Sequence, residues 1–396
     1  MRSRTLSILA VLTISLIVSI PAVAQEDEEI SLDYEFAQRL TISASFPRRL
    51  NISEVEFFIK PEGELLTRVY PASEDKTNLF TAAINLQQDQ LRTFSMIDYW
   101  YQAELNTGEV ITSTADTFYM EDNRFDWVQE VQAPFSIHRY VGDEFFAREM
   151  VDVAQQGLEN IQRYLPLATP EKVDIYAYAN TVDMRDSLQL NPSSWIGAHA
   201  DPDLGVMVIS LPSGPDQRLE MERQIPHELM HIMLYHHIGE RYLNLPVWLV
   251  EGLASIVELY PNPDYSILLS SAVNGESLLE IQSLCTSFPS DANDAYLAYA
   301  QAESFTRYLY DQYGNEAMEA LVANYGSGVD CERGVEMVFG KNLAELQTEW
   351  YENTFDANQL ETGIRNLVPW ILLLIVVIGG PISVAIIFFM SKRDIY

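Results

Sequence analysis

Cysteine and positive charge are the two features that this sequence has little of. Its two cysteines, Cys285 and Cys331, are too few for a disulfide-rich scaffold or a four-cysteine zinc site. It contains 24 Lys and Arg residues but 57 Asp and Glu residues, so the formal net charge is −33 at pH 7. We therefore expect neither nucleic acid nor an anionic membrane surface as a partner, because both need clustered positive side chains.

Residues 1–24 have the pattern of a secretory signal peptide. Arg2 and Arg4 precede an apolar stretch at 6–20, and Ala22-Val23-Ala24 has the small residues of a cleavage site. The mature chain is then expected to begin near Gln25. The alternative is an apolar anchor that is not cleaved.

The C-terminal region predicts one transmembrane helix at residues 367–390. This stretch contains no charged residue, and at about 1.5 Å per residue it is long enough to cross a hydrocarbon core of about 30 Å. Lys392 and Arg393 follow in the segment 391–396, which the positive-inside rule assigns to the cytoplasm. We expect a single-pass type I protein of the cell membrane, with the rest of the chain extracytoplasmic. There, Cys285 and Cys331 either form a disulfide or remain buried free thiols.

The predicted architecture between these ends is multidomain, with an all-β region first. Residues 26–122 contain short runs of β-forming residues separated by turn signals, among them 42–46, 55–59, 80–86, 97–105 and 110–118. This spacing favours a β-sandwich of immunoglobulin or fibronectin type. The region contains no histidine and no catalytic constellation, so it is expected to act as a spacer or a binding module.

A linker is predicted at about 121–134, and mixed α and β structure follows at 134–356. Residues 143–165 have helical periodicity, residues 173–178 alternate as a strand, and residues 205–211 are a near-continuous apolar run of strand length. The pattern predicts an α+β domain.

A candidate metal site lies in the string His227-Glu228-Leu229-Met230-His231. Pro226 is expected in the first turn of a helix there, and Gly239 is expected to cap its C-terminal end. Histidines at positions i and i+4 share one helix face, so both can bind one Zn²⁺ ion. Glu228 can then take a proton from the water on the metal.

Catalytic zinc sites have a third protein ligand, and two residues compete for this role. His237 has the spacing of an extended histidine motif, but Leu234 stands where that motif needs a helix-breaking glycine. Glu251 is preferred, because a second helix begun by Pro246 would return it to the first one. The alternative is that Glu251 forms a salt bridge with Arg223 or Arg241.

The residues His227-Glu228-x-x-His231 and Pro246-x-Trp248-x-x-Glu251-Gly252-x-Ala254 resemble the gluzincin metallopeptidases of the peptidase MA-like group. The resemblance covers about 135–355 and implies a zincin-like α+β fold. It also implies one Zn²⁺ held by His227, His231 and Glu251, with Glu228 as the base. Gluzincins often have an acidic residue four positions after the third ligand, where this chain has Ser255. Glu258 either orients a ligand histidine or is solvated.

Two further roles are expected around this site. In some gluzincins a tyrosine that opens a helix stabilises the oxyanion, and Tyr299 resembles it, with Tyr296 as the next choice. Gly197, Ala198 and His199, together with the strand at 205–211, could form the edge that pairs with an extended substrate. The alternative for His199 is an ordinary loop histidine.

We therefore expect a membrane-anchored, extracytoplasmic zinc peptidase that acts on a peptide or protein substrate. Two alternatives stay open at this stage. One is a non-catalytic zinc-binding scaffold or adhesion protein that binds a partner through the β-sandwich. The other is a zinc hydrolase of a non-peptide bond.

Overall fold

The computed structural model describes residues 29–75, 78–188, 197–356 and 367–371. These residues form two compact units. The first contains the chain up to Leu91 and Met96–Tyr119, and the second contains Arg92–Ser95 and the chain from Met120 onward. The predicted order, a β-rich region followed by an α+β region, is confirmed. The predicted signal peptide at 1–24 lies outside the described residues.

The first unit consists of two antiparallel sheets. Its strands are β1 (Glu29–Glu35), β2 (Arg39–Ser45), β3 (Ile52–Pro61), β4 (Arg68–Pro71), β5 (Ser73–Glu74), β6 (Leu79–Asn85), β7 (Met96–Leu105), β8 (Val110–Thr112) and β9 (Asp116–Tyr119). One sheet has the order β1-β2-β6-β5. The other has the order β4-β3-β7-β8, and β9 also pairs with β7.

Alternating apolar residues give each sheet one buried face. Along β2, Leu40, Ile42 and Ala44 are buried while their neighbours are partly exposed. The ring of Phe46 contacts Phe80 of the first sheet and Tyr101 of the second at right angles, with centroids 5.7 and 5.0 Å away. The two sheets therefore pack face to face.

The predicted strand at 110–118 is two strands in the structure, β8 and β9. The interruption has a local cause at Ser113. Its side-chain oxygen accepts a hydrogen bond from the Tyr101 amide at 3.1 Å. A side chain thus takes the place of a backbone carbonyl in the ladder, and regular pairing stops there.

The second unit is built on a five-stranded sheet. Its strands are β10 (Val128–Gln132), β11 (Phe135–Arg139), β12 (Val173–Tyr178), β13 (Ala198–Asp201) and β14 (Val206–Ser210). The order is β10-β11-β12-β14-β13, with β11, β12 and β14 parallel and the two outer strands antiparallel to their neighbours. The expectation that 205–211 lies at the sheet edge is wrong. Strand β14 pairs with β12 on one side and with β13 on the other, and all its residues are buried, so β13 is the edge strand here.

Helices cover this sheet and extend the unit. They are α1 (Glu144–Tyr164), α2 (Thr181–Ser187), α3 (Gln217–Ile238), α4 (Val247–Ile256), α5 (Asp264–Asn274), α6 (Ala292–Gly326), α7 (Cys331–Phe339) and α8 (Leu343–Tyr351). Helix α3 packs against α1, and α4 packs against α6. Helix α6 is kinked at Gly314, whose φ of 77° interrupts it.

Residues 121–134, where the sequence predicts a linker, belong to the second unit. Asp122 is fully buried there, and its carboxylate accepts hydrogen bonds from Arg124 and from the Tyr178 hydroxyl at 2.7 and 2.8 Å. The Trp127 indole donates to the Asp122 carbonyl at 2.8 Å. This segment also contributes the edge strand β10, so it is part of the fold.

Within the described ranges, no helix is both long enough and apolar enough to cross a membrane. Residues 367–371 are helical. The remainder of the predicted membrane segment, 372–390, lies outside the described residues, so the membrane helix stays a prediction.

A disulfide joins Cys285 and Cys331, whose Cα atoms are 6.2 Å apart. It lies at the beginning of α4. The Val247 amide donates a hydrogen bond to the Cys285 carbonyl at 3.0 Å, and the buried Trp248 indole donates to the Cys331 sulfur at 3.4 Å. The disulfide therefore ties two distant parts of the chain to the helix that contains Glu251.

Candidate metal centre

The helix with the His227–His231 motif begins earlier than the sequence predicts. It begins at Gln217, so Pro226 lies inside it. Proline cannot donate to the carbonyl four residues before it, and the Glu222 carbonyl accepts instead from the Leu259 amide at 2.9 Å. A Cβ atom on Gly157 of α1 would lie 3.0 Å from the Pro226 ring, so this helix packs closely over the proline. The two histidines consequently lie in the buried middle of α3.

Three side chains converge as candidate metal ligands. The Nε2 atoms of His227 and His231 lie 3.4 and 3.9 Å from Oε2 of Glu251, and the donor atoms of all three lie within 4.8 Å of one another. Ligand atoms bound tetrahedrally at about 2.0 Å from a zinc ion are about 3.3 Å apart. The donor set, two imidazoles and one carboxylate, therefore fits a zinc ion in both chemistry and spacing.

Among the described residues, Glu251 forms no salt bridge with Arg223 or Arg241, the alternative that the sequence left open. Arg223 pairs with Glu220 at 3.3 Å, and the Arg241 Nε atom donates to the Ile238 carbonyl at 3.0 Å. His237, the competing third ligand, is exposed near the end of α3 and is not one of the three converging side chains.

Hydrogen bonds on the far side of each imidazole fix its orientation. Nδ1 of His227 lies 3.0 Å from Oε1 of Glu258, and Nδ1 of His231 lies 3.0 Å from the Tyr242 hydroxyl. Both Nε2 atoms are thereby left to face Glu251. Glu258 supplies the carboxylate that position 255 lacks. Tyr242 was not expected from the sequence, because no spacing rule relates it to the motif.

The pKa values of the two imidazoles are shifted in opposite directions. Burial alone would lower the pKa of His227, but hydrogen bonds to Glu251 and Glu258 outweigh burial and hold it well above 6.5. Burial lowers the pKa of His231 to about 4, against the opposing effect of Glu251. For Glu251, burial would raise the pKa, but His231 and His227 together lower it. The cluster therefore contains an ionised carboxylate and one neutral imidazole, both suited to bind a cation.

Glu228 lies beside this cluster and is only 7% exposed. Burial raises the pKa of its carboxyl group to about 7, and Glu251 and Glu258 add to the effect, whereas His227 and the Ala200 backbone oppose it. The side chain thus lies between α3 and β13. A carboxyl group in this setting can exchange protons near neutral pH.

A cavity of about 250 Å³ opens beside the cluster. His227, Glu228, Gly197, Ala198 and Tyr299 are among the residues that line it. His199 is not one of the described residues that line this cavity. Burial lowers the pKa of His199, with Arg92 adding to the effect and Asp201 opposing it.

The backbone of β13 borders this cavity as an edge strand. The Ser210 amide donates to the Gly197 carbonyl at 3.0 Å. Because bonding directions alternate along an antiparallel ladder, the backbone groups of Ala198 point away from β14. Among the described residues, no strand pairs with this side of β13, so an added strand could pair there.

Tyr299 and Tyr296 both line the cavity from α6. The Tyr299 ring lies 6.4 Å from the His227 ring between centroids. Helix α6 begins at Ala292, so Tyr299 does not open a helix as the resemblance implied. The Tyr296 hydroxyl accepts a hydrogen bond from Asn262 at 3.0 Å. Burial raises the pKa of Tyr299 well above 10, so its hydroxyl keeps its proton.

Comparison with solved structures finds distant similarities. A mutant of the M1 zinc metallopeptidase from Deinococcus radiodurans is 12% identical over 74% of this chain and 61% of its own, with a TM-score of 0.33. A two-domain M1 zinc metallopeptidase mutant bound to L-arginine is 11% identical over 74% and 60%, with a TM-score of 0.32. A β-1,3-glucan-binding module of family 56 is 16% identical over 23% and 98%, with a TM-score of 0.18.

This chain spans about three fifths of the length of the two metallopeptidases. No curated protein matches the sequence. The family model of the peptidase MA superfamily matches residues 153–356, which include both histidines, Glu228 and Glu251. The match covers just over half of the chain, and the chain therefore belongs to the peptidase MA superfamily.

Proposed function

We propose that this protein is a zinc-dependent peptidase that hydrolyses peptide bonds outside the cytoplasm while anchored in a membrane. One observation carries the proposal. The Nε2 atoms of His227 and His231 and a Glu251 oxygen converge at a spacing suited to zinc, and the buried Glu228 lies beside them.

The metal and the protein have separate tasks in this proposal. A zinc ion held by His227, His231 and Glu251 would supply a Lewis acid that polarises a carbonyl group and lowers the pKa of water, so that a proton is lost more easily. Glu228 accepts that proton and passes it to the leaving amine. The Tyr299 hydroxyl is available as a hydrogen-bond donor to a developing oxyanion. A scaffold would need no buried carboxyl group in the position of Glu228, which favours an enzyme.

The edge strand β13 supports a peptide as the substrate. Its Ala198 backbone points into the open side of the sheet, where an extended peptide can pair with it. The lining by Gly197 and Ala198 leaves room for a main chain to approach, since neither has a large side chain.

The proposed location depends on the two ends of the chain and on the disulfide. Residues 1–24 have the pattern of a signal peptide, and 367–390 form an uncharged stretch followed by Lys392 and Arg393. The pairing of Cys285 with Cys331 supports an oxidising compartment.

The experiment that tests this proposal compares Glu228→Gln with Glu159→Gln, a control at an exposed position of α1. A library of quenched fluorescent peptides is incubated with each zinc-loaded protein, with and without a chelator. We expect Glu228→Gln to bind zinc as the wild type does but to lose at least about 100-fold in hydrolysis, the usual effect of a general base. Wild-type rates in Glu228→Gln, or hydrolysis that resists the chelator, would contradict the proposal.

A further inference from the structure

A second, larger cavity lies on the other side of Glu258. Its volume is about 780 Å³, and residues of α5 and α6 form much of its lining. Glu258, Asn262 and Tyr265 line both this cavity and the one beside the metal cluster. These three residues therefore form a wall that the two cavities share.

Two residues of this lining each have a buried side-chain oxygen without a hydrogen-bond partner among the described residues. These oxygens are Oε2 of Glu258 and the hydroxyl oxygen of Ser255. Glu258 is 6% exposed and Ser255 is 1% exposed. Only Oε1 of Glu258 is hydrogen-bonded to His227, so Oε2 remains for another hydrogen-bond donor. Buried polar atoms of this kind are normally satisfied, which indicates a ligand with hydrogen-bond donors.

The charge of the lining indicates what kind of donor fits. Glu258 and Glu303 are its charged residues, and no Lys or Arg lines it within the described ranges. Glu303 forms an ion pair with Arg307. Burial raises the pKa of the Glu258 carboxyl group, whereas His227 and Arg223 oppose this by favouring its charged form. The Tyr265 ring adds an aromatic surface that can accept a cation. A group that is both positively charged and rich in N–H donors matches this cavity.

We propose that the larger cavity binds the side chain of a lysine or arginine residue of the peptide substrate, so that the protein prefers basic residues near the cleaved bond. The proposal rests on the proposed peptidase function. The shared wall explains how one peptide could occupy both cavities, with its main chain at β13 and one side chain beyond Tyr265. A pocket built to hydrogen-bond a substrate group discriminates strongly against an analogue that lacks the group.

The first experiment measures kcat/KM for peptides that contain lysine or its uncharged analogue norleucine at each position near the cleaved bond. We expect a preference for lysine of at least about tenfold at one position. Ser270→Trp on α5 places a large ring at the cavity lining, and it should abolish this preference. Ser271→Trp is the matched control, because the neighbouring residue is exposed and does not line the cavity. Equal kcat/KM for lysine and norleucine at every position would overturn the proposal.

A second experiment separates this proposal from the proposed function. Binding of the same lysine and norleucine peptides to zinc-loaded full-length Glu228→Gln is measured by calorimetry, which needs no hydrolysis. Tighter binding of the lysine peptide supports the cavity proposal even if the wild type hydrolyses nothing. Equal affinity for the two peptides overturns it even if the wild type is an active peptidase.

Discussion

The orientation of His227 by Glu258 leads to a quantitative prediction for zinc affinity. We consider the substitution Glu258→Gln, which keeps the shape of the side chain and an oxygen that can accept from Nδ1 of His227. It removes the negative charge. Glu258 is buried and its oxygen lies 3.0 Å from Nδ1, so solvent screens this charge only weakly.

The magnitude follows from the type of hydrogen bond that is lost. A hydrogen bond to a charged group contributes about 1.5–3 kcal/mol, whereas a neutral one contributes about 1 kcal/mol. Because Gln keeps a neutral hydrogen bond, the expected loss is the difference, about 0.5–2 kcal/mol. At about 1.4 kcal/mol for each tenfold change in Kd, Glu258→Gln should weaken zinc binding by about 2- to 30-fold. Tyr242→Phe removes the neutral hydrogen bond to His231 at 3.0 Å and should weaken it by less than about tenfold.

The assay is a competition titration of zinc against a chromophoric chelator, with circular dichroism to verify folding. Glu159→Gln serves as the control for loss of one negative charge from an exposed position. We expect both Glu258→Gln and Tyr242→Phe to have a higher Kd for zinc than the wild type and the control. A Kd for Glu258→Gln equal to that of the wild type would refute the reasoning.

Two further predictions concern α4, the helix that contains Glu251. In Gly252→Ala the new Cβ atom would lie 2.6 Å from the Ala302 carbonyl oxygen and would collide with Thr306. We expect this substitution to lower the free energy of unfolding by about 1–3 kcal/mol and to weaken zinc binding. Gly214→Ala is the control and should change neither, because nothing lies within 4 Å of its added Cβ atom. Reduction of the Cys285–Cys331 disulfide, which closes a loop of 46 residues, should lower the free energy of unfolding by up to about 4 kcal/mol. Urea unfolding measures both changes in the free energy of unfolding, and an unchanged midpoint in either case would contradict that prediction.

Much of the fold could be predicted because burial leaves a regular pattern in the sequence. The strand at 173–178 has the predicted bounds, and α1 differs from its prediction by one residue at each end. Both are buried elements with a clear apolar period. Pro246 precedes α4 as expected, and Gly239 follows α3 with a φ of 63°.

The beginning of α3 could not be predicted, because its cause is distant in the sequence. A proline normally marks the first turn of a helix, since the missing amide leaves a carbonyl unpaired. Here Leu259, far along the chain, pairs with that carbonyl. No pattern around Pro226 reveals this partner.

In the candidate site, too, some contacts could be predicted from the sequence and others could not. The i, i+4 histidines and the return of Glu251 follow from helix geometry and from the cost of burying an unpaired carboxylate. The sequence left two alternatives open for Glu258. Its contact with His227, like that of Tyr242 with His231, depends on how the chain turns after α3 and α4. Side chains that meet through tertiary packing leave no fixed spacing in a sequence.

The most direct test of the metal site is an anomalous difference map, recorded at the zinc absorption edge from crystals of the zinc-loaded protein. The account predicts one strong peak at about 2 Å from Nε2 of His227, Nε2 of His231 and a carboxylate oxygen of Glu251. A map without a peak at this position, or a zinc ion bound by the histidines with Glu251 turned away, would contradict it.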